Sequence, residues 1–250
     1  MTLTLASTVH SSGLDFEEGI LWAAVITLAM SLFRWWRKRR NTPQYQRLAE
    51  RYGGTYAPKA EARAVRFPES DWGLDIDAYE VHDYLTGSHE GRRFYCCGWR
   101  YSITGAIGGG DSGRNHVDRT VYAMELPGDY GSFSVRKHSR ARAIFGQNDV
   151  QIGHPGFDER FTVHARDPEV AQRVLTGELV EFLLNDERSK DYPLWFLGDR
   201  LVCSYQSRFG PDDVEPALEY MAHVVARLAS PASDRAREAP LSEDIVPVAG

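Results

Sequence analysis

Cysteine carries the most reactive side chain in this sequence, which contains three: the neighbours Cys96 and Cys97, and the distant Cys203. A thiolate can act as a nucleophile or bind a metal ion. Neighbouring residues of a strand point to opposite faces, so Cys96 and Cys97 cannot bind one metal together. A thiol nucleophile needs a base, and none of the eight histidines lies at a diagnostic spacing from a cysteine. We therefore expect one or two cysteines in the core and none in catalysis.

Two other short motifs have a chemical interpretation. The segment GGGDSG at 108–113 matches the bare dinucleotide-binding pattern, but that function requires the glycines to connect a strand to a helix. Here another strand follows, so a hairpin loop is favoured. Asp75 and Asp77 share one face of a strand, which suits a cation or, more commonly, a solvated edge. With no catalytic constellation in the sequence, we expect no enzyme activity, no metal and no cofactor.

Charge is distributed unevenly along the 250 residues. The net charge is −6, but residues 1–40 contain three acidic and five basic side chains, a local sum of +2 that leaves −8 for the remainder. An acidic body repels phosphate backbones, so we expect no nucleic-acid partner. Three cysteines without even spacing do not form a disulfide framework, which favours a reducing compartment.

An apolar run near the amino terminus predicts a membrane anchor. The uncharged residues from Gly19 to Phe33 span about 22 Å as a helix, against a hydrocarbon core of about 30 Å. Arg34 can extend its charge outward while Trp35 and Trp36 lie at headgroup level, which extends the span to roughly 27 Å. We therefore predict a transmembrane helix at residues 19–36. A buried core helix and a helix lying on the membrane surface are the alternatives.

Flanking charges predict how this helix is oriented. Basic residues beside a span stay in the cytoplasm, and here they follow the apolar run, whereas acidic residues precede it. A cleaved signal peptide would have the opposite order. We therefore expect a single-pass cell-membrane protein with residues 1–18 outside and the domain in the cytoplasm. The residues expected to anchor it and contact headgroups are Trp22, Arg34, Trp35, Trp36, Arg37, Lys38, Arg39 and Arg40.

Small residues recur along the same segment. Ala23, Thr27 and Ser31 are spaced four apart, a spacing that lets two membrane helices approach closely. They form a possible helix–helix face, although ordinary membrane-helix composition gives the same pattern and is favoured.

The remainder of the chain predicts an α+β domain. Residues 37–56 form a basic block and a neck helix that begins at Thr42-Pro43 and ends near Tyr52. The domain follows at 57–229, and the charged, proline-rich residues 230–250 are expected to form a disordered tail. Residues 57–80 are expected to be irregular, with a short strand near their end. Strands are predicted near 80–85, 92–103, 120–126, 133–136 and 160–165, with a first turn at 84–88.

Helix signals follow the strands. Asp167-Pro168 is a strong start signal, and Thr176-Gly177 is expected to kink or divide the helix. Residues 191–207 read as a hairpin turning at Gly198-Asp199. A last helix opens at Pro211 and carries one apolar stripe of Val214, Leu218, Met221, Val225 and Leu228. Together these signals predict an antiparallel sheet of about five to seven strands packed against C-terminal helices.

Four segments carry a resemblance to a known family. They are RLAERYGGTYAP, HEGRRFYCCGWRYS, RTVYAMELP and FDERFTVHARDPEVAQRVLTGELVEFLL, and the last of them is followed by LVCSY and by the last amphipathic helix. In these segments the chain resembles an uncharacterised family of actinobacterial, often membrane-anchored proteins that carry a domain of unknown function. The similarity covers residues 44–229, and its most specific element is the segment at 157–168. The resemblance implies the α+β fold and the membrane anchor, and it implies no active-site residues.

Three function classes remain open. The leading expectation is a cytoplasmic interaction or assembly module, with the lipid bilayer and a protein partner or a second copy as binding partners. The alternative is a domain in which the sheet grips the last helix around an apolar ligand or lipid, and an enzyme is the least favoured class. The residues expected to line that ligand cavity are Phe94, Trp99, Tyr122, Trp195 and Phe196.

Overall fold

The computed structural model describes residues 16–61, 76–103, 115–138 and 149–228. The chain divides into two compact units, residues 1–43 and residues 44–250. The predictions for the glycine-rich segment at 108–113, for Asp75, for residues 1–15 of the exposed N-terminal segment and for the tail at 230–250 concern residues outside the described ranges.

The described helices and strands alternate along the chain. The helices are α1 Phe16–Arg51, α2 Pro155–Arg160, α3 Pro168–Val174, α4 Gly177–Asn185 and α5 Val214–Ala226, with short 3-10 turns at Glu187–Lys190 and Pro211–Asp213. The strands are β1 Tyr56–Ala60, β2 Ile76–His89, β3 Arg92–Ile103, β4 Asn115–Glu125, β5 Ser132–Lys137, β6 Asp149–Val150, β7 Phe161–Ala165, β8 Leu194–Leu197 and β9 Arg200–Tyr205.

Within the described residues one antiparallel sheet contains nine strands in the order β1-β2-β3-β4-β9-β8-β5-β7-β6. The α+β class is confirmed, but the expected five to seven strands were too few. The two edge strands were missed: β1 is a five-residue strand containing Pro58, and β6 has only two residues. Short edge strands with proline carry little of the alternating pattern that identifies a strand.

The first turn was also placed wrongly. Strand β2 continues through residues 84–88 to His89, where it pairs with β3, and Leu85 is fully buried in the core. The chain reverses at Glu90-Gly91, where both φ angles are positive (50° and 75°), as a type I′ hairpin turn requires. Asp83 has φ 52° and lies in a register shift between His82 and Leu85. This shift is a β-bulge that re-aims the neighbouring side chains.

Two apolar clusters lie on opposite faces of the sheet, because side chains alternate along each strand. The first cluster joins strand residues to α3, α4, α5 and the C-terminal turns of α1. The second consists of strand residues alone: Val81, Tyr84, Tyr95, Cys97, Trp99, Tyr101, Val121, Ala123, Trp195 and Val202.

The helix cap, the divided helix, the hairpin turn and the apolar stripe predicted for the C-terminal half of the chain are confirmed. Asp167 caps α3 by accepting a hydrogen bond from the backbone N–H of Glu169 at 3.0 Å. Thr176 separates α3 from α4. The hairpin of β8 and β9 turns at the predicted Gly198-Asp199. In α5 the residues from Val214 to Val225 of the predicted stripe are at most 3% exposed.

Helix α1 is longer than the predicted neck helix. It includes Pro43, so the predicted helix start at Thr42-Pro43 is wrong. Proline removes one backbone hydrogen bond, but the flanking arginine, glutamine, leucine and alanine residues favour a helix.

Among the described residues, no helix has an apolar stretch long enough to cross a bilayer. The side chains at positions 33–38 lie outside the described part, and the span at 19–36 is not shown by the structure.

Candidate functional site

The most unusual surface of the first unit is the apolar part of α1. Eight large apolar side chains are between 49% and 65% exposed. They are Ile20, Leu21, Trp22, Val25, Ile26, Leu28, Met30 and Leu32. Monomeric soluble proteins rarely expose apolar patches of this kind, which mark membrane or protein contacts.

The small residues of this segment make hydrogen bonds inside the helix. The Thr27 hydroxyl donates to the Ala23 carbonyl at 2.7 Å, and the Ser31 hydroxyl donates to the Thr27 carbonyl at 2.8 Å. Each hydroxyl therefore satisfies its donor without water, as a helix in an apolar environment requires. Ala23, Thr27 and Ser31 follow one face of α1, and their role in helix–helix contact stays a prediction.

The predicted headgroup contacts are described only in part. Trp22 is 63% exposed, and Arg39 and Arg40 are exposed. The side chains of Arg34, Trp35, Trp36, Arg37 and Lys38 lie outside the described residues.

In the second unit, residues 44–51 of α1 belong to the domain core. The Tyr45 ring stacks between Tyr56 and Phe209 with centroid distances of 5.2 Å to each. Its hydroxyl donates to the Phe209 carbonyl at 3.2 Å, and the side chain is 1% exposed. Leu48, Ala49 and Tyr52 join the same cluster. The spacing of these four residues, at steps of three and four, is the sequence signal that predicts such burial.

The end of this helix is fixed to β2, β3 and α5. Arg51 forms an ion pair with Glu215 at 3.0 Å, and the Tyr52 ring meets Phe94 edge-on at 5.2 Å. The Ser88 N–H donates to the Tyr52 carbonyl at 2.9 Å. A main-chain hydrogen bond and a ring contact therefore hold the neck against the sheet, and an ion pair holds it against α5.

All three cysteines are fully buried. Cys96 and Cys203 lie on the helix-covered face and Cys97 lies on the other, as strand alternation predicts. Burial raises the pKa of the Cys97 and Cys203 thiols, and burial followed by the charge of Cys97 raises the pKa of Cys96. The three thiols are therefore neither accessible to a reagent nor readily deprotonated, and both are needed for thiol chemistry.

We expect the native protein to resist thiol labelling. Because the thiols are buried and their pKa values are raised, a maleimide or iodoacetamide reagent at pH 7–8 will modify none of them on the timescale that labels free cysteine. After denaturation all three will react. Mass spectrometry of intact protein before and after denaturant measures the difference, and labelling of a native cysteine at the rate of a small thiol would contradict the described burial.

The five residues expected to line one ligand cavity do not converge. Phe94, Tyr122 and Phe196 belong to the helix-covered cluster. Trp99 and Trp195 belong to the cluster on the opposite face. The sheet itself separates the two sets, so the prediction that these five residues line a single cavity is wrong.

A polar cluster that sequence reasoning missed lies at the β-bulge of β2. The Tyr56 hydroxyl donates to one carboxylate oxygen of Asp83 at 2.7 Å, and the other oxygen is 3.1 Å from Nδ1 of His82. A Cβ on Gly98 would lie 2.0 Å from the His82 ring, so only glycine leaves room for it. The arrangement orients an imidazole. Among the described residues, no group of three or more His, Cys, Asp or Glu side chains is arranged to hold a metal ion.

A second charged cluster lies along the same sheet. Asp118 binds Arg100 at 2.6 Å and Arg208 at 3.2 Å. Burial would raise the pKa of this carboxyl, but the hydrogen bonds and charges of both guanidinium groups more than offset burial, so its pKa is lowered. These three charges neutralise one another in part and stabilise the end of the sheet.

A shallow groove of about 560 Å³ separates α4 from the end of α5. Phe182 forms its apolar floor, with the Arg227 guanidinium stacked on the ring at 4.4 Å. The remaining lining residues are Gly177, Glu178, Glu181 and Asn185. An open groove with two carboxylates at its rim suits a protein surface contact more than enclosure of a small molecule.

Comparison with known proteins leaves the chain without a family assignment. No family model matches, and no curated protein matches. Among solved structures, the chain is similar to the crystal structure of the mycobacterial trehalose monomycolate transport factor A, TtfA. The identity is 11%, the alignment covers 74% of this chain and 92% of that chain, and the TM-score is 0.49.

Proposed function

We propose that this protein is a non-catalytic, membrane-anchored interaction module. Its α1 helix inserts into the bilayer, and its α+β domain binds a protein partner or a second copy of the chain in the cytoplasm. The observation that carries the proposal is the set of eight large apolar side chains on α1 that are about half exposed or more.

The free energy of these side chains favours the bilayer. Burying one fully exposed large apolar side chain contributes about 1.5–3 kcal/mol. Because these eight side chains are 49–65% exposed, together they favour an apolar environment by about 7–14 kcal/mol. The internal hydrogen bonds of Thr27 and Ser31 remove the hydroxyl penalty that would oppose insertion. The sequence continues with Phe33 and, after Arg34, with Trp35 and Trp36, which extends the proposed span to roughly 27 Å.

The basic residues favour one orientation. Arg37, Lys38, Arg39 and Arg40 follow the apolar segment, and each basic residue near an anionic surface contributes about 1 kcal/mol. They retain the following domain on the cytoplasmic side. Three unpaired cysteines in the domain agree with that reducing compartment.

Partner binding by strand addition is disfavoured at both edges of the described sheet. At one edge β1 carries Pro58 and the exposed Lys59, two features that block strand pairing. At the other edge β6 has only two residues. The partner therefore contacts side-chain surfaces, and the groove with Glu178 and Glu181 at its rim offers a surface for a basic, apolar-tipped segment.

The test combines extraction and protease access on cells that express the full chain. We expect the protein to stay in the membrane pellet after alkaline carbonate, because an inserted helix is not released by loss of ionic contacts. Protease added to intact cells should leave the domain uncut, and lysis should make it accessible. Release by carbonate would refute insertion, and cleavage of the domain on unbroken cells would refute the orientation.

A further inference from the structure

The groove between α4 and α5 has a net negative charge. Two carboxylates, those of Glu178 and Glu181, are exposed at its rim, and Arg227 supplies the single positive charge among its six lining residues. The Arg227 guanidinium is already engaged, because it stacks on the Phe182 ring at 4.4 Å and donates to the His223 carbonyl at 2.8 Å. The groove therefore combines an excess of negative charge with an apolar floor, which suits a segment that is both basic and apolar.

The two carboxylates have a fixed spacing. Glu178 and Glu181 are three positions apart on α4, so their Cβ atoms lie about 5–6 Å apart on one face of the helix. Glu181 is also 3.6 Å from Nε2 of His154, but the two side chains are 61% and 43% exposed, and such a surface contact is weak. Alternate residues of an extended segment point the same way and lie about 6.6 Å apart. The groove thus fits two cations at alternate positions of an extended segment.

The chain carries such a segment shortly after the groove. The described part ends at Leu228, the neighbour of Arg227, and the sequence continues as ASPASDRAREAPL. Arg235 and Arg237 occupy alternate positions of this stretch, and each has an acidic neighbour. In an extended conformation the two arginines point to one side and the acidic neighbours point to the other.

The connection to this segment is long enough. Only the short stretch after Leu228 leads to Arg235, and it extends to at most about 23–25 Å. Helix α4 has nine residues and is about 13 Å long. The chain can therefore return from the end of α5 along the whole of α4.

We propose that residues 234–241 dock in this groove. Arg235 and Arg237 bind the carboxylates of Glu178 and Glu181, and the apolar end of the segment covers the Phe182 floor. Docking itself does not depend on membrane anchoring. Its consequence, that a protein partner must displace this segment before it can use the groove, rests on the proposed function.

Covalent attachment makes this contact effective. Exposed ion pairs are individually weak and are screened by salt, so the segment as a free peptide would bind poorly. A short connection gives an effective concentration in the millimolar range, which keeps a weakly bound segment in the groove. At 1 M salt the Debye length falls to about 3 Å, so we expect the segment to be released.

Trypsin reports docking directly, because it cleaves after arginine and both docking arginines are cleavage sites. The full chain in a non-ionic detergent is treated with trypsin at low salt, and mass spectrometry follows the initial release of the peptides that begin at Ala236 and Glu238. The groove variant combines Glu178→Gln with Glu181→Gln, which keeps side-chain size and removes both charges. We expect this variant to release the peptides about threefold faster than the wild-type chain, or more.

The control variant combines Glu159→Gln with Glu169→Gln. Both residues are exposed and lie on α2 and α3, outside the set that lines the groove. The control changes the net charge by the same amount as the groove variant, so its peptides should be released at the wild-type rate. At 1 M salt the wild-type chain and both variants should be cleaved at one rate.

Three results would overturn the proposal. The first is equal release from the wild-type chain and the groove variant at low salt. The second is a difference that persists at 1 M salt, which would show that charge pairing is not its cause. The third is protection that is lost on about tenfold dilution, which would place the segment in the groove of a second copy. None of these results bears on membrane anchoring, which carbonate extraction measures separately.

Discussion

Replacing Val25 and Leu28 with aspartate will transfer the full-length protein from the membrane fraction to the soluble fraction. These side chains are 49% and 61% exposed and lie in the middle of the apolar part of α1. An aspartate near the centre of an inserted helix costs about 2.5–3.5 kcal/mol. Two of them oppose insertion by about 5–7 kcal/mol, which lowers the membrane-bound to soluble ratio by about 10⁴.

Flotation on a density gradient and alkaline carbonate extraction measure this effect. The matched control is Val25→Leu with Leu28→Ile, which preserves apolar character and should remain in the membrane fraction. Both positions lie in the first unit, residues 1–43, so we expect the thermal unfolding of the domain to be unchanged. A double aspartate variant that floats with lipid as the wild-type chain does would show that α1 is not the anchor.

Much of the domain could be predicted because its signals are local. Strand β3 begins and ends at the predicted residues, Arg92 and Ile103. The cap at Asp167 and the turn at Gly198 depend on single residues whose backbone preference is strong. These features need no knowledge of distant parts of the chain.

Strand order depends on distant parts of the chain. Strand β9 pairs with β4, and β8 pairs with β5, so the C-terminal hairpin is inserted between strands that are consecutive in sequence. The pattern of apolar residues within one strand shows which of its faces is buried, but it does not show which other strand will pair with it. The same limit hid the hydrogen bonds between Arg93 and Glu125, which connect β3 to β4.

One error in the predicted cavity was avoidable from the sequence alone. Phe94 and Trp99 lie an odd number of positions apart on one strand, and Trp195 and Phe196 are adjacent. Alternation places the members of each pair on opposite faces, as the two clusters show. The aromatic content of a strand is therefore not evidence for a shared site until the parity of the positions has been checked.

Gly54→Ala is expected to destabilise the domain by about 3 kcal/mol or more, the upper end of the effect of overpacking. A Cβ at this position would lie 1.9 Å from the Thr86 carbonyl oxygen and 2.6 Å from the Gly87 Cα. Both are main-chain atoms of β2, and the Thr86 N–H is bonded to the Thr55 carbonyl at 2.9 Å. Unlike a flexible side chain, they cannot move without breaking the bonds that hold the neck.

Chemical denaturation of the full chain in a non-ionic detergent measures the loss, and Gly177→Ala is its matched control. Gly177 has no atom within 4 Å of its added Cβ and begins α4, so alanine there should be neutral or stabilise by about 0.4–1 kcal/mol. The two variants add the same methyl group, and they differ in what that group meets. Equal unfolding free energies would show that the neck does not approach β2 as closely as described, and the tight docking of residues 44–54 would have to be abandoned.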